Sequence, residues 1–281
     1  MSDYEYGSID LQELTEEGGR LNTEGAEGGG GQTNYLDNYV QMPKSNGTVT
    51  MRILPPAKGG KLYQYTRLIG INGRNVHCPK PLVNGKWDKN TPNVICDYYS
   101  HLWKQIEVLE KDGGSKDLIE KLKAEARSIK PVERYYYNVI VRNSVDKEGN
   151  NVKNAGPKIY SCGKVVHKII ISAIVPGTPD FIGNVVDLEK GYDFILRKDI
   201  QGTGKNAYPD YKRSKFSHEQ TPAGTPEEIK KWMSNLHDLT ALRKPATAET
   251  LEYELAVHRG CIKDVKAAGN GFDPAQFDAK Y

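Results

Sequence analysis

Three stretches of this 281-residue chain carry side chains suited to gripping a flat, charged polymer. The first is Glu133-Arg134-Tyr135-Tyr136-Tyr137-Asn138-Val139-Ile140-Val141-Arg142. It is rich in aromatic and β-branched residues, has no internal Gly or Pro, and follows Pro131, the signature of a β-strand. Side chains alternate along a strand, so Tyr135, Tyr137, Val139 and Val141 share a face expected to point into a core. Tyr136, Asn138, Ile140 and Arg142 share the other. A ring, an amide and a guanidinium together suit an unpaired nucleobase and its phosphate, because every base has a π-face and every linkage a negative charge. The second stretch, Lys61 to Leu68, repeats the combination with Tyr63, Tyr65 and Arg67 on one strand face. The third runs from Lys190 to Phe216, with seven Lys/Arg and three Asp interleaved with Tyr208 and Tyr211. Cations that follow phosphates beside rings that take bases are what a single-strand groove requires. Tyrosine also has a high strand preference, so the same residues suit an ordinary sheet.

The elements that must position these side chains follow from periodicity. Thr48 to Leu54 alternates and stops at Pro55-Pro56, a strand with Val49, Met51 and Ile53 inward. Residues 72–96 read as loop. Apolar positions then recur at helical spacing over 97–111 and, after Asp112-Gly113-Gly114, over about 116–129, a helical hairpin inserted between strands. Residues 158–162 make a short strand and 164–174 an apolar helix. Asp193–Lys198 and Tyr208–Phe216 form a hairpin through Gly202-Thr203-Gly204. Thr225-Pro226-Glu227-Glu228 opens another helix with a cap, a first-turn Pro and a Glu three residues on. A last helix spans about 247–258 and stops at Gly260.

Composition narrows the function classes. No run approaches the roughly 18 apolar residues of a membrane span, and no signal-peptide pattern follows Met1. Four cysteines are too few for a disulfide framework, which points to an intracellular setting. The net charge of +3 hides an asymmetry: residues 1–30 hold one Arg against eight Asp or Glu, −7 in all, leaving +10 on the rest. A basic body with an acidic appendage implies a polyanionic partner. Enzyme motifs are lacking: there is no Walker loop, Gly-X-Ser-X-Gly or His-Glu-X-X-His. Gly202-Thr203-Gly204-Lys205 is followed by Asn206 rather than Ser or Thr, which makes it a turn.

In this order, the elements resemble the single-stranded DNA-binding (helix-destabilising replication) proteins of T-even phages and their relatives, over roughly residues 35–258. The resemblance rests on Tyr135-Tyr136-Tyr137-Asn138, Cys162-Gly163-Lys164, Ser214-Lys215-Phe216 three residues beyond Tyr211, Asn84-Gly85-Lys86-Trp87, and Cys96-Asp97-Tyr98-Tyr99. It implies an α+β, mainly β fold: an OB-type barrel core with an inserted helical, zinc-bearing subdomain, bases stacking in a cleft between the two, and C-terminal helices. The expected organisation is an acidic disordered arm (1–31), a core (32–218) containing the 72–130 subdomain, C-terminal helices packed on the core (219–260), and a weakly ordered tail (261–281). Tyr135, Tyr136 and Tyr211 fall on matching positions of the family's strand-binding aromatics, with Tyr98 and Tyr99 beside the subdomain helix. Strand facing and charge, rather than the resemblance, select Arg67, Arg142, Arg197, Lys198, Lys212, Arg213 and Lys215 for phosphates, and Tyr63, Tyr65 and Tyr208 for bases.

Two departures stand out. The family's zinc is held by three Cys and a His, with a Cys-Pro-X-Cys pair entering the helix; here that pair reads Asn93-Val94-Ile95-Cys96. His77, Cys78 and Cys96 remain as candidate ligands, with His101 a further donor. The family's basic N-terminal arm and acidic C-terminal tail are also missing; the acidic run is N-terminal. The implied function is sequence-tolerant, non-catalytic coating of single-stranded DNA during phage replication, recombination and repair, in the host cytoplasm. The acidic arm would recruit replication or recombination proteins, and copies would self-associate along the strand. An RNA-binding or scaffold protein on the same barrel is the alternative, with a nucleic-acid-processing enzyme behind it.

Overall fold

The tyrosine strand is the longest strand of the structure: β6 runs Pro131–Val145. The computed structural model describes residues 38–43, 45–83, 86–145, 151–204 and 207–262; the expected acidic arm and most of the expected tail lie outside them. The chain divides into two units, one of residues 1–66 with 133–243 and one of 67–132 with 244–281. β2 (Gln64–Ile71) and β6 are the strands along which the chain passes from one unit to the other.

The first unit is built on a curled antiparallel half-barrel. β1 (Gly47–Ile53) pairs with β6, Met51 opposite Val141 and Ile53 opposite Val139, and on its other edge with β9 (Gly191–Gln201), Met51 opposite Phe194. β8 (Ala155–Cys162) pairs with β6 so that Tyr137 faces Tyr160, and the short β7 (Asn151–Val152) pairs with the end of β6. β9 also carries β10 (Tyr208–Asp210) and β11 (Lys215–Thr221). The stretch expected as one strand from Tyr208 to Phe216 is thus two, separated by a turn in which Ser214 N–H donates to Tyr211 C=O at 2.9 Å. Asp210 sets that turn: its side chain accepts from Lys212 N–H at 2.9 Å.

Alternation works as expected on one face of β6. Tyr135, Tyr137, Val139 and Val141 are buried with Val49, Met51, Ile53, Phe194 and Leu196. The helix α3 (Lys164–Ile174) closes this core with Val166, Ile170, Ile171 and Ile174. Each large apolar side chain so buried contributes about 1.5–3 kcal/mol. The other face is covered as well. Ile140 packs with Leu188, Ala223 and Trp232, the last from α4 (Pro226–Met233), and Tyr136 packs with Ile159 and Leu239. A capping box between Thr225 and Glu228 starts α4. Gly224 is needed just before it, since a Cβ there would come within 2.7 Å of the Trp232 ring.

The second unit begins with a β-hairpin that the loop reading of 72–96 did not foresee. β2 returns into β3 (Arg74–His77) through Asn72-Gly73, both at positive φ (51° and 72°), the two-residue turn that matches strand twist. A minimal ladder of β4 (Leu82–Val83) and β5 (Lys86–Trp87) follows. The hairpin α1 (Val94–Lys111) and α2 (Lys116–Ser128) then appears as expected, turned by Asp112 to Gly114 with Gly113 at φ 69°. α5 (Ala248–His258) belongs to this unit and puts Leu251 into a core with Ile69, Ile71, Ile95, Leu102 and Ile129. Its buried Glu254 accepts from Asn72 Nδ2 at 2.8 Å and from Arg74 Nη1 at 3.1 Å, tying the β2–β3 turn to the helix.

Candidate nucleic-acid interface

The central tyrosines lie inside the first unit. Tyr135 and Tyr137 are 1% and 0% exposed and Tyr63 is 6% exposed. All three surround the buried His167 of α3. Tyr135 stacks on its ring (centroids 3.5 Å apart, planes 9° from parallel), Tyr63 meets it edge-on at 4.6 Å, and Tyr137 Oη lies 2.6 Å from Nδ1. Tyr135 Oη donates to Glu133 Oε2 at 2.6 Å. Tyr65 is half-buried against the same core. Tyr136, on the opposite face, has its hydroxyl pKa pushed up to about 12, chiefly by burial. Beside it Asn138 makes a two-way bridge to the backbone of His237, accepting from N–H and donating to C=O at 3.0 Å each.

Arg142 is engaged by the protein. Its Nε donates to Asp193 Oδ1 at 3.1 Å and its Nη2 to Pro222 C=O at 2.6 Å. The same Asp193 receives the fully buried Arg52 at 2.9 Å, so one carboxylate neutralises two guanidinium groups.

The edge formed by β9, β10 and β11 is different. Tyr208 is 59% exposed and lies opposite Gln201 on the neighbouring strand. Tyr211 is half-buried, resting on the core of the first unit. Lys212, Arg213 and Lys215 are exposed around the turn, and Lys198 Nζ donates to Pro43 C=O at 2.6 Å. Asp199 takes Arg213 in a two-pronged grip (Nε to Oδ2 2.9 Å, Nη2 to Oδ1 2.7 Å) and Arg197 Nε at 3.2 Å. Burial raises the Asp199 pKa, but the two arginines outweigh it and hold the carboxyl below its ordinary value. The arginine side chains themselves stay 47% and 60% exposed. The structure therefore gathers Arg197, Tyr208, Tyr211, Lys212, Arg213 and Lys215 at one edge, with Lys198 close by, and buries Tyr63, Tyr135 and Tyr136 while Arg142 is half-buried and held by Asp193.

In the second unit Tyr98 Oη donates to Glu125 Oε1 at 2.5 Å, and burial followed by this carboxylate pushes its pKa up to about 12. Arg259 lies over its ring at 5.4 Å. Tyr99 meets Trp103 edge-on at 6.3 Å, a half-exposed aromatic pair one helical turn apart. Trp103 was not among the expected site residues, although its i+4 spacing from Tyr99 is a readable signal. Arg67 sits over Trp87 at 5.2 Å, its Nε buried and without a hydrogen bond among the described residues.

Residues 46–257, about three quarters of the chain, match the family model described as gp32 DNA binding protein like. The chain belongs to that family. No curated protein matches it.

The resemblance to this family implied a zinc site, which the donor set here does not complete. Cys78 and Cys96 are buried with their sulfurs 3.9 Å apart, close to one edge of a tetrahedron of thiolates around zinc. The next position is taken by Asn93, whose Nδ2 donates to Cys78 Sγ at 3.3 Å while its Oδ1 accepts from Ile95 and Cys96 N–H at 3.1 and 3.0 Å. His77, the last residue of β3, is half-buried, whereas Cys78 just after it is buried. Among the described residues no three His, Cys, Asp or Glu are grouped to hold a metal. The two thiols behave as a pair. A hydrogen bond from Cys96 is the largest factor lowering the Cys78 pKa, to about 6, against burial and with the help of the Lys80 backbone and the Arg67 charge; the Cys96 thiol is correspondingly pushed up.

Proposed function

We propose that this protein binds single-stranded DNA without strong sequence preference, coating it during phage DNA replication, recombination and repair, with no catalytic step. The observation that carries this reading is the β9–β11 edge: an exposed Tyr208, a half-buried Tyr211 and four exposed cations in a chain of a DNA-binding family. In this reading Tyr208 and Tyr211 stack on bases while Arg197, Lys198, Lys212, Arg213 and Lys215 follow the phosphates. Each neutralised phosphate releases condensed counterions, so binding weakens with salt. Tyr98, Tyr99 and Arg67 supply the second unit's contacts. Tyr63, Tyr65 and Tyr135 belong to the support of this surface, Tyr211 and Tyr65 resting on the core that contains Tyr63 and Tyr135, while Tyr136 packs on the other face with Ile159 and Leu239. Arg142 reaches a phosphate only by giving up Asp193.

The acidic run in residues 1–31 then competes with DNA for the basic edge and recruits replication or recombination proteins when DNA displaces it. Self-association along the strand completes the coat. Removing residues 1–31 should tighten DNA binding most at low salt.

The test of the main reading is a titration of intrinsic Tyr/Trp fluorescence with oligo(dT), oligo(U) and a matching duplex at two salt concentrations. Quenching by oligo(dT), relieved by salt and weak with duplex, is the expected result. An equal response to duplex overturns the stacking mechanism, and a stronger response to oligo(U) moves the substrate to RNA.

A further inference from the structure

The corner where β3 meets the start of α1 holds two buried sulfurs, a buried amide and two cations, and of these the proposed DNA contacts use Arg67 alone. We propose that this corner works without metal: the amide of Asn93, the paired Cys78 and Cys96 sulfurs and the positive charges of Arg67 and Lys80 together do the structural work that a zinc ion would do. Asn93 is 1% exposed and bridges two roles, capping the first turn of α1 through its oxygen and donating to Cys78 Sγ through its nitrogen. Cys78 Sγ is met in addition by the Cys96 sulfur at 3.9 Å, so the sulfur on the strand is tied to the helix at two points.

Charge argues against a metal here. Lys80 is 7% exposed, and its Nζ is anchored by Thr91 C=O at 2.6 Å and Lys89 C=O at 3.4 Å, which holds a full positive charge close to the pair. Arg67 lends a second: Cys78 N–H donates to its carbonyl at 2.7 Å, and its guanidinium spreads over Trp87 with Nε buried. Two fixed cations beside two sulfurs repel a divalent ion at short range, where the intervening medium screens weakly. The amide also cannot serve as a thiolate in a tetrahedral site, and turning it towards a metal would release the two N–H groups that it caps.

The test uses the full chain, expressed with added zinc and purified without chelator. The expected result is substoichiometric zinc by mass spectrometry and a Tm unchanged by 1,10-phenanthroline. Asn93→Ala should lower Tm on the order of 5 °C, equally with and without chelator, because the cap and the sulfur contact are lost together. Asn93→Ser keeps a capping oxygen and removes the amide donor to Cys78, so it should lower Tm less than Asn93→Ala, again equally with and without chelator. Zinc recovered at one per chain, or a Tm that falls on chelation, overturns the proposal. So does Asn93→Ala with an unchanged Tm.

Discussion

The two tyrosine-bearing stretches, Tyr135–Tyr137 and Tyr208–Tyr211, both belong to the sheet of the first unit and are opposite in environment. In the first, each ring is surrounded by protein: His167 and α3 on one face, Leu239 and the chain after Pro222 on the other. In the second, β10 is only three residues long and lies at the end of the sheet path, so Tyr208 stays 59% exposed. A tyrosine in a strand is therefore taken into the core when neighbouring elements pack on both sides of its sheet, and stays open to solvent on an edge strand such as β10. Position in the sheet decides the role.

That contrast breaks most sharply at Tyr137. Replacing it with Ala removes a fully buried ring and its bond to His167, and should cost about 3–5 kcal/mol of stability in denaturant unfolding. The surviving folded fraction should keep its DNA affinity. A stable Tyr137→Ala protein that no longer binds DNA would mean that the interior strand is the binding surface after all. The converse pair is Tyr208→Ala and Tyr211→Ala, each expected to weaken oligo(dT) binding by about 1–3 kcal/mol. Tyr208→Ala should leave the unfolding midpoint in place, since its ring is exposed. Full affinity in both variants would remove the edge from the mechanism.

Asn138 tests the covered face with a smaller effect. Asn138→Ala leaves the N–H and C=O of His237 without their partner and should cost about 1–3 kcal/mol of stability, read by the same unfolding experiment. DNA affinity should not change. If it falls while stability holds, the segment after Pro222 moves aside for DNA and the face is part of the site.

How far the sequence foretold this depends on the range of the interactions involved. The inward set of β6, the α1–α2 hairpin, α3 and the Thr225 cap follow from local period and local capping, and the structure has them. The cover over Tyr136 and Asn138 does not, because Leu239 and His237 lie about a hundred residues further on and no short window contains both partners. β3 was missed although Asn72-Gly73 is a strong turn signal, since a four-residue strand shows too little alternation to register. α1 begins at Val94, three residues before the apolar period is visible, because Asn93 supplies its cap. Family membership was legible from the order of small motifs. Which of the matching tyrosines reach solvent was not, because exposure depends on segments far along the chain that pack over the sheet.

The finest test of the edge lies at Asp199, between the two arginines that the proposed function assigns to phosphates. Its carboxyl is depressed below the ordinary value by Arg197 and Arg213, against the opposing effect of burial. For stability, a depressed folded pKa means that the contribution is present above the unfolded value near 4 and fades as pH falls through the lower folded value. For binding the sign reverses. The carboxylate competes with phosphate for the same guanidinium groups, so Asp199→Asn should tighten oligo(dT) binding a few-fold at low salt while slightly loosening the hairpin. If one more phosphate is engaged, the slope of log affinity against log salt should steepen by about 0.7. Weaker binding in Asp199→Asn would show instead that the carboxylate orients the arginines for DNA, which would make the grip part of the interface rather than its competitor.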